Sequence, residues 1–112
     1  MIRRITIPDR PRIDFEVSLA GDTFGLLITW NDRAGYWVLD IKDSEGDVIL
    51  AGIRMVINYP LLRGYVYENL PQGEMYVVGN DPEGRQEPRL DAWREDGQNL
   101  RLIFVEDENA TI

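Results

Sequence analysis

Large apolar residues fall at every second position on both sides of one short polar turn. Phe24, Leu26, Ile28 and Trp30 precede the turn and Trp37, Leu39 and Ile41 follow it, which is the period of two strands that each bury one face. Between the tryptophans lie Asn31, Asp32 and Gly35, types that accept turn and left-handed dihedrals at low cost. The pattern predicts a β-hairpin that turns Trp30 and Trp37 toward one core. Arg33, at the tip, is expected to pair with a nearby carboxylate. Nothing in this segment carries catalytic chemistry.

The same period extends along the chain. Ile13 to Leu19 alternates without error and enters Thr23 to Trp30 through Gly21-Asp22; Tyr36 to Lys42 returns through Asp43-Ser44-Glu45-Gly46-Asp47 into Val48 to Ile53. These runs predict a four-strand meander over residues 13–57. Ile2, Ile5 and Ile7 make a weaker first strand, and Pro8 and Pro11 assign it to an edge because proline donates nothing to a sheet ladder. From Asn58 to Tyr65 the alternation breaks, and Pro60-Leu61-Leu62 before Gly64 reads as a loop or one helical turn. Leu70 to Gly73 is a turn into a strand over 74–79, and Leu100 to Glu106 is the last strand. Residues 80–99 are polar, with apolar anchors only at Leu90, Ala92 and Trp93, and read as one long loop with room for a turn of helix; such a loop is a natural contact surface. Six or seven strands, no amphipathic helix of three turns and no internal repeat predict an all-β fold, a single antiparallel sandwich or small barrel.

At 112 residues the chain has the length of one domain and can bury roughly two thirds of its unfolded surface. An apolar content of 44% sustains a core despite a net charge of −8. The absence of Cys removes disulfides, thiolate chemistry and Cys-ligated metal sites; the absence of His removes the usual base near neutral pH and the commonest transition-metal ligand. No run approaches the ~20 apolar residues of a membrane span, and Met1 to Thr6 has no apolar signal segment; the expectation is a protein made in the cytoplasm without membrane insertion. A pI near 4.4 argues against nucleic-acid recognition. Charge is unevenly spread: residues 1–12 hold Arg3, Arg4, Arg10 and Arg12 against a single Asp, and residues 106–112 form an acidic tail. The basic segment reads either as a guarded edge strand or as a dock for an acidic neighbour.

Asp43, Glu45 and Asp47 around Gly46 follow the ligand order of an EF-hand calcium loop only in part, and the terminal bidentate Glu at the correct distance is missing, so they read as an exposed hairpin turn. Asp81, Glu83, Asp91, Glu95 and Asp96 have no metal-ligand spacing. Ser18 and Ser44, the only serines, sit in no nucleophile elbow. No catalytic, cofactor or metal residue is expected. Tyr36, Tyr59, Tyr65, Tyr67, Tyr76 and Trp93 read mainly as core and rim packing; an exposed face of these rings would instead make a carbohydrate-binding β-sandwich module, the alternative function.

The hairpin with its flanks also resembles a known family. Residues 14–19, the run Leu27 to Ile41 with Trp30, Asn31, Arg33, Gly35 and Trp37 at its centre, the run Asp47 to Val56, and Leu61-Leu62 look like the baseplate plug proteins of contractile-tailed bacteriophages. Leu70 to Met75 and Leu100 to Val105 fit the same pattern, so the resemblance covers residues 13–105. It implies a virion structural protein of the tail baseplate, without enzyme activity or cofactor, that closes the distal end of the tail tube or hub. It implies packing against itself, in threefold or sixfold symmetry, and against hub and tube proteins. The contacts are expected on the two segments without a matching motif, with Arg3, Arg4, Arg10, Arg12 and Trp93 as candidates.

Overall fold

Seven strands form two antiparallel sheets in a computed structural model whose described residues are 2–63, 70–79 and 88–106. In chain order they are β1 (Ile2–Ile5), β2 (Arg12–Leu19), β3 (Asp22–Asn31), β4 (Tyr36–Lys42), β5 (Val48–Arg54), β6 (Gly73–Val78) and β7 (Arg101–Glu106). One sheet is the meander β2-β3-β4-β5 and the other has the order β1-β7-β6. They do not close on each other, so the fold is a sandwich and not a barrel. A single core draws on both sheets. The described residues contain no helix: the helical turns expected within 58–65 and 80–99 are simple turns over 57–63 and 88–99, and the remainder of both stretches lies outside the described residues.

The alternation read from the sequence becomes rows across the meander. Ile13, Ile28, Leu39 and Ile53 form one cross-strand row, and Phe15, Leu26, Ile41 and Leu50 the next. Ile28, Leu39, Leu26 and Ile41 are fully buried in them. Opposing them, Met75, Val77, Leu102 and Phe104 come from β6 and β7. Each fully buried large side chain contributes about 1.5–3 kcal/mol, and with no disulfide these rows hold the sheets together.

Strand β5 departs from simple alternation. Leu39 pairs with Ile53 but Ile41 pairs with Leu50, so β5 carries an extra residue there, and both Leu50 and Ile53 reach the core three positions apart. Gly52 absorbs the bulge at φ 77°, a region where a Cβ is costly. The Asp40 carboxylate accepts the Gly52 N–H at 2.8 Å, which gives a donor left off the ladder its partner.

Two edges are managed locally. The chain beyond β5 lies along β6: Asn58 N–H donates to the Val77 carbonyl at 2.8 Å and Leu61 N–H to that of Met75 at 2.9 Å, so the edge of β6 is covered. On the other side, the Arg3 guanidinium donates to the Ser18 carbonyl and ties the edge strand β1 to β2.

A Cβ at position 52 would meet nothing within 4 Å, so Gly52→Ala tests the backbone alone. It is expected to lower unfolding free energy by about 1–2 kcal/mol, read as a shift in urea midpoint at unchanged m-value. An unshifted midpoint would mean that the bulge relaxes without cost.

Candidate functional site

The hairpin turn is closed by its first residue. Asn31 accepts the Gly35 N–H on its carbonyl at 2.7 Å and the Ala34 N–H on Oδ1 at 3.0 Å, and Gly35 takes φ 79°. This turn sets Trp30 directly across from Trp37. Their rings meet edge to face at 5.5 Å and 60°. Trp37 is fully buried, while Trp30 is half-buried at the rim of the core instead of within it. Arg33 is exposed and, among the described residues, forms no ion pair; the turn is held by Asn31, with a long hydrogen bond from Trp30 Nε1 to Asp32 Oδ1 at 3.4 Å.

Trp37 then reaches out of its sheet. Its ring meets Trp93 at 5.5 Å and 62°, and its Nε1–H donates to the Arg89 carbonyl at 2.7 Å. The three tryptophans therefore form a row that fixes residues 88–100 to the end of the sandwich. That segment is a set of nested turns: Ala92 N–H donates to Arg89 at 2.9 Å, Leu100 N–H to Ala92 at 2.7 Å, and Arg89 N–H to the Gln98 side chain. Ala92 and Trp93 face in, and Leu90 is left 52% exposed.

The N-terminal segment arrives at the same place. Trp30 N–H donates to the Pro11 carbonyl at 2.8 Å, which lays residues 9–11 beside the hairpin. Asp9, Arg10 and Pro11 then face Arg89, Leu90, Asp91 and Arg94 across a groove of about 590 Å³. One ion pair crosses it, Arg94 to Asp9 at 3.6 Å. On the same side, Arg94 binds Asp96 at 3.2 Å through two nitrogens, and Arg89 binds Asp91 at 3.3 Å.

The hydrogen bond from Arg94, and then its charge, hold the Asp96 carboxyl below its ordinary value. The hydrogen bond to Asp96, its charge and that of Asp9 raise Arg94 above its own. With the Asp96 value depressed, this support is present above the ordinary carboxylate range and is lost as pH falls through the folded-state value. Both groups are solvated, so its weight is small.

Of the predicted contact residues, Arg10 lines the groove and its side chain enters no ion pair among the described residues. Arg4 and Arg12 are exposed and likewise unpaired there. Arg3 is engaged with Ser18. Trp93 departs from expectation: only 8% of it is exposed, because its ring completes the tryptophan row. The carbohydrate-binding alternative loses that ring as a platform. Tyr36 and Tyr76 are half-buried, Arg54 lies 4.7 Å from the Tyr36 ring centre, and Tyr59 is exposed; Tyr65 and Tyr67 lie outside the described residues.

Asp43, Glu45 and Asp47 bring carboxylate oxygens within 4.8 Å of one another. Asp43 serves the turn itself, accepting the Glu45 and Asp47 N–H groups at 2.9 Å each. Asp81 and Glu83 lie outside the described residues, whereas Asp91 and Asp96 are paired with arginines. The sequence marks residues 1–12 and 80–99 separately as irregular, but no motif joins them, and their meeting in one groove comes from the fold.

Residues 2–108 match the family model described as the cyanophage baseplate plug gp18 of Pam3. The chain belongs to this family. No curated protein matches it. The plug family match includes the basic N-terminal segment and the loop around the groove, neither of which carries the hairpin signature.

Replacing Trp37 by Phe removes one of the two donors to the Arg89 carbonyl, which keeps only the Ala92 N–H, whereas Trp93 Nε1 is buried without an acceptor among the described residues. Trp37→Phe is therefore expected to be the more destabilising change, by about 1–2 kcal/mol over Trp93→Phe, in parallel denaturant titrations. Equal losses would show that the indole hydrogen bond carries no weight.

Proposed function

We propose that this chain is a structural subunit of a phage tail baseplate that closes the distal end of the tail tube or hub, without catalysis. The observation that carries the reading is the plug-family match over nearly the whole chain. The family places the chain in the tail of the virion among other tail proteins; the closing role, the copy number and the contact residues are part of the proposal. Its chemistry fits. A chain without His or Cys lacks the side chains on which most acid-base, nucleophilic and transition-metal catalysis relies, while a rigid two-sheet core suits a part that bears load by packing.

The contacts with hub and tube proteins are assigned to the basic N-terminal segment, at Arg4 and Arg12 in particular, with Arg3 and Arg10 beside them. Arg4 and Arg12 are exposed and unpaired among the described residues, so their charge is available to an acidic partner. Interfacial charges of this kind set association rate and register more than affinity.

Co-expression with the neighbouring tube and hub proteins is expected to yield a complex, and mass spectrometry of purified virions to find the chain. A protein that binds none of them and is absent from virions would overturn the reading. Arg4→Glu with Arg12→Glu is expected to weaken that complex about tenfold at low salt, less at high salt, without changing the denaturant midpoint. An undiminished complex would assign the contact elsewhere.

A further inference from the structure

The groove and the β4–β5 turn lie at opposite ends of the sandwich and are complementary. The groove is built where Trp30 pairs with Trp37. The turn follows Lys42, which pairs with Gly25 near the other end of β3, about 17 Å along β4 at strand spacing. Each end exposes one large apolar side chain beside charges: Leu90 in the groove and Val48, 59% exposed, at the foot of the turn. In the groove Asp9 and Asp91 are already neutralised by Arg94 and Arg89, which leaves Arg10 as an unpaired cation among the described residues. In the turn, Asp43 is occupied by backbone N–H groups, which stiffens the loop and leaves the Glu45 and Asp47 carboxylates projecting close together.

We infer that the occupant of the groove is the β4–β5 turn of a second copy of this chain, with Val48 on Leu90 and the Glu45 and Asp47 carboxylates toward Arg10. Charge and apolar surface match at once, and a stiff turn loses little entropy on docking. Because the two surfaces stand at opposite ends of one molecule, the contact is head-to-tail and not two-fold. Such a contact closes into a ring or continues as a filament according to the rotation between copies. The inference rests on the reading of the chain as an assembling tail subunit, but its test needs no other tail protein.

The full-length chain, Arg10→Glu, the double variant Glu45→Arg with Asp47→Arg, and an equimolar mixture of the two variants are compared by sedimentation over a concentration series. The unmodified chain is expected to self-associate, less so at high salt. Each variant alone should associate at least tenfold more weakly, and the mixture should regain association because every intact turn finds an intact groove. The altered side chains make no hydrogen bond or ion pair among the described residues, and tryptophan fluorescence should confirm that the variants remain folded. Variants that assemble like the parent, a parent monomeric at every concentration, or a mixture no better than its components would overturn the inference. So would dissociation by a chelator, which would assign the acidic turn to a cation. A parent chain that stays monomeric yet still forms the hub complex would count against this contact alone.

Discussion

The hydrogen bond from Trp37 Nε1 to the Arg89 carbonyl, at 2.7 Å, is the contact on which the groove end of the molecule depends. Without it, residues 88–100 would have few reasons to fold against the meander, because Pro88, Ala92, Trp93 and Leu100 are the buried apolar residues of that stretch. An indole suits this work because it combines a large apolar body with one directional donor. The body is fully buried in the sandwich, and the donor reaches a backbone carbonyl that otherwise accepts only the local Ala92 N–H. The edge-to-face contacts on either side, to Trp30 and Trp93, orient the ring so that the donor points outward.

From that anchor the charged groove follows. Trp30 holds the Pro11 carbonyl, Trp37 holds Arg89, and the two chain segments so fixed face each other closely enough for Arg94 to reach Asp9. The plug-family hairpin thus serves the fold, through the ring of Trp37 and the turn at Asn31. It is the platform that positions the groove, and its rings are mostly spent on the core; in the proposed reading, recognition falls to arginines and to Leu90 on irregular backbone. This division follows from elementary constraints: flat aromatic groups are best used where water is excluded, and charges where it is not.

Much of the fold was legible because a strand with one buried face writes itself as alternation. Ile13, Phe15, Leu26, Ile28, Leu39 and Ile41 stand where their period places them, as does Asn31, whose side chain suits the first position of a turn. The misplaced expectations share one cause. Trp93 sits in a polar stretch and reads as apolar anchorage or as a partner contact, and only the packing of segments from elsewhere in the chain decides for burial. Trp30 reads as core from its period and lies at the rim because the sandwich ends there. Arg33 has Asp32 beside it in sequence, yet the turn directs it to solvent.

By itself the sequence determined the strand succession, the antiparallel hairpins, the edge position of β1 and the family, since each rests on local periodicity or on a contiguous run of residues. Tertiary structure alone decided three things: the split into two sheets instead of a closed barrel, the bulge at Gly52 that turns both Leu50 and Ile53 inward, and the union of residues 9–11 with 89–94 in one groove. The physical reason is that local pattern records which face of an element avoids water, while the partner that covers that face is chosen by packing between segments far apart in the chain. No spacing rule ties Asp9 to Arg94. The tryptophan row does.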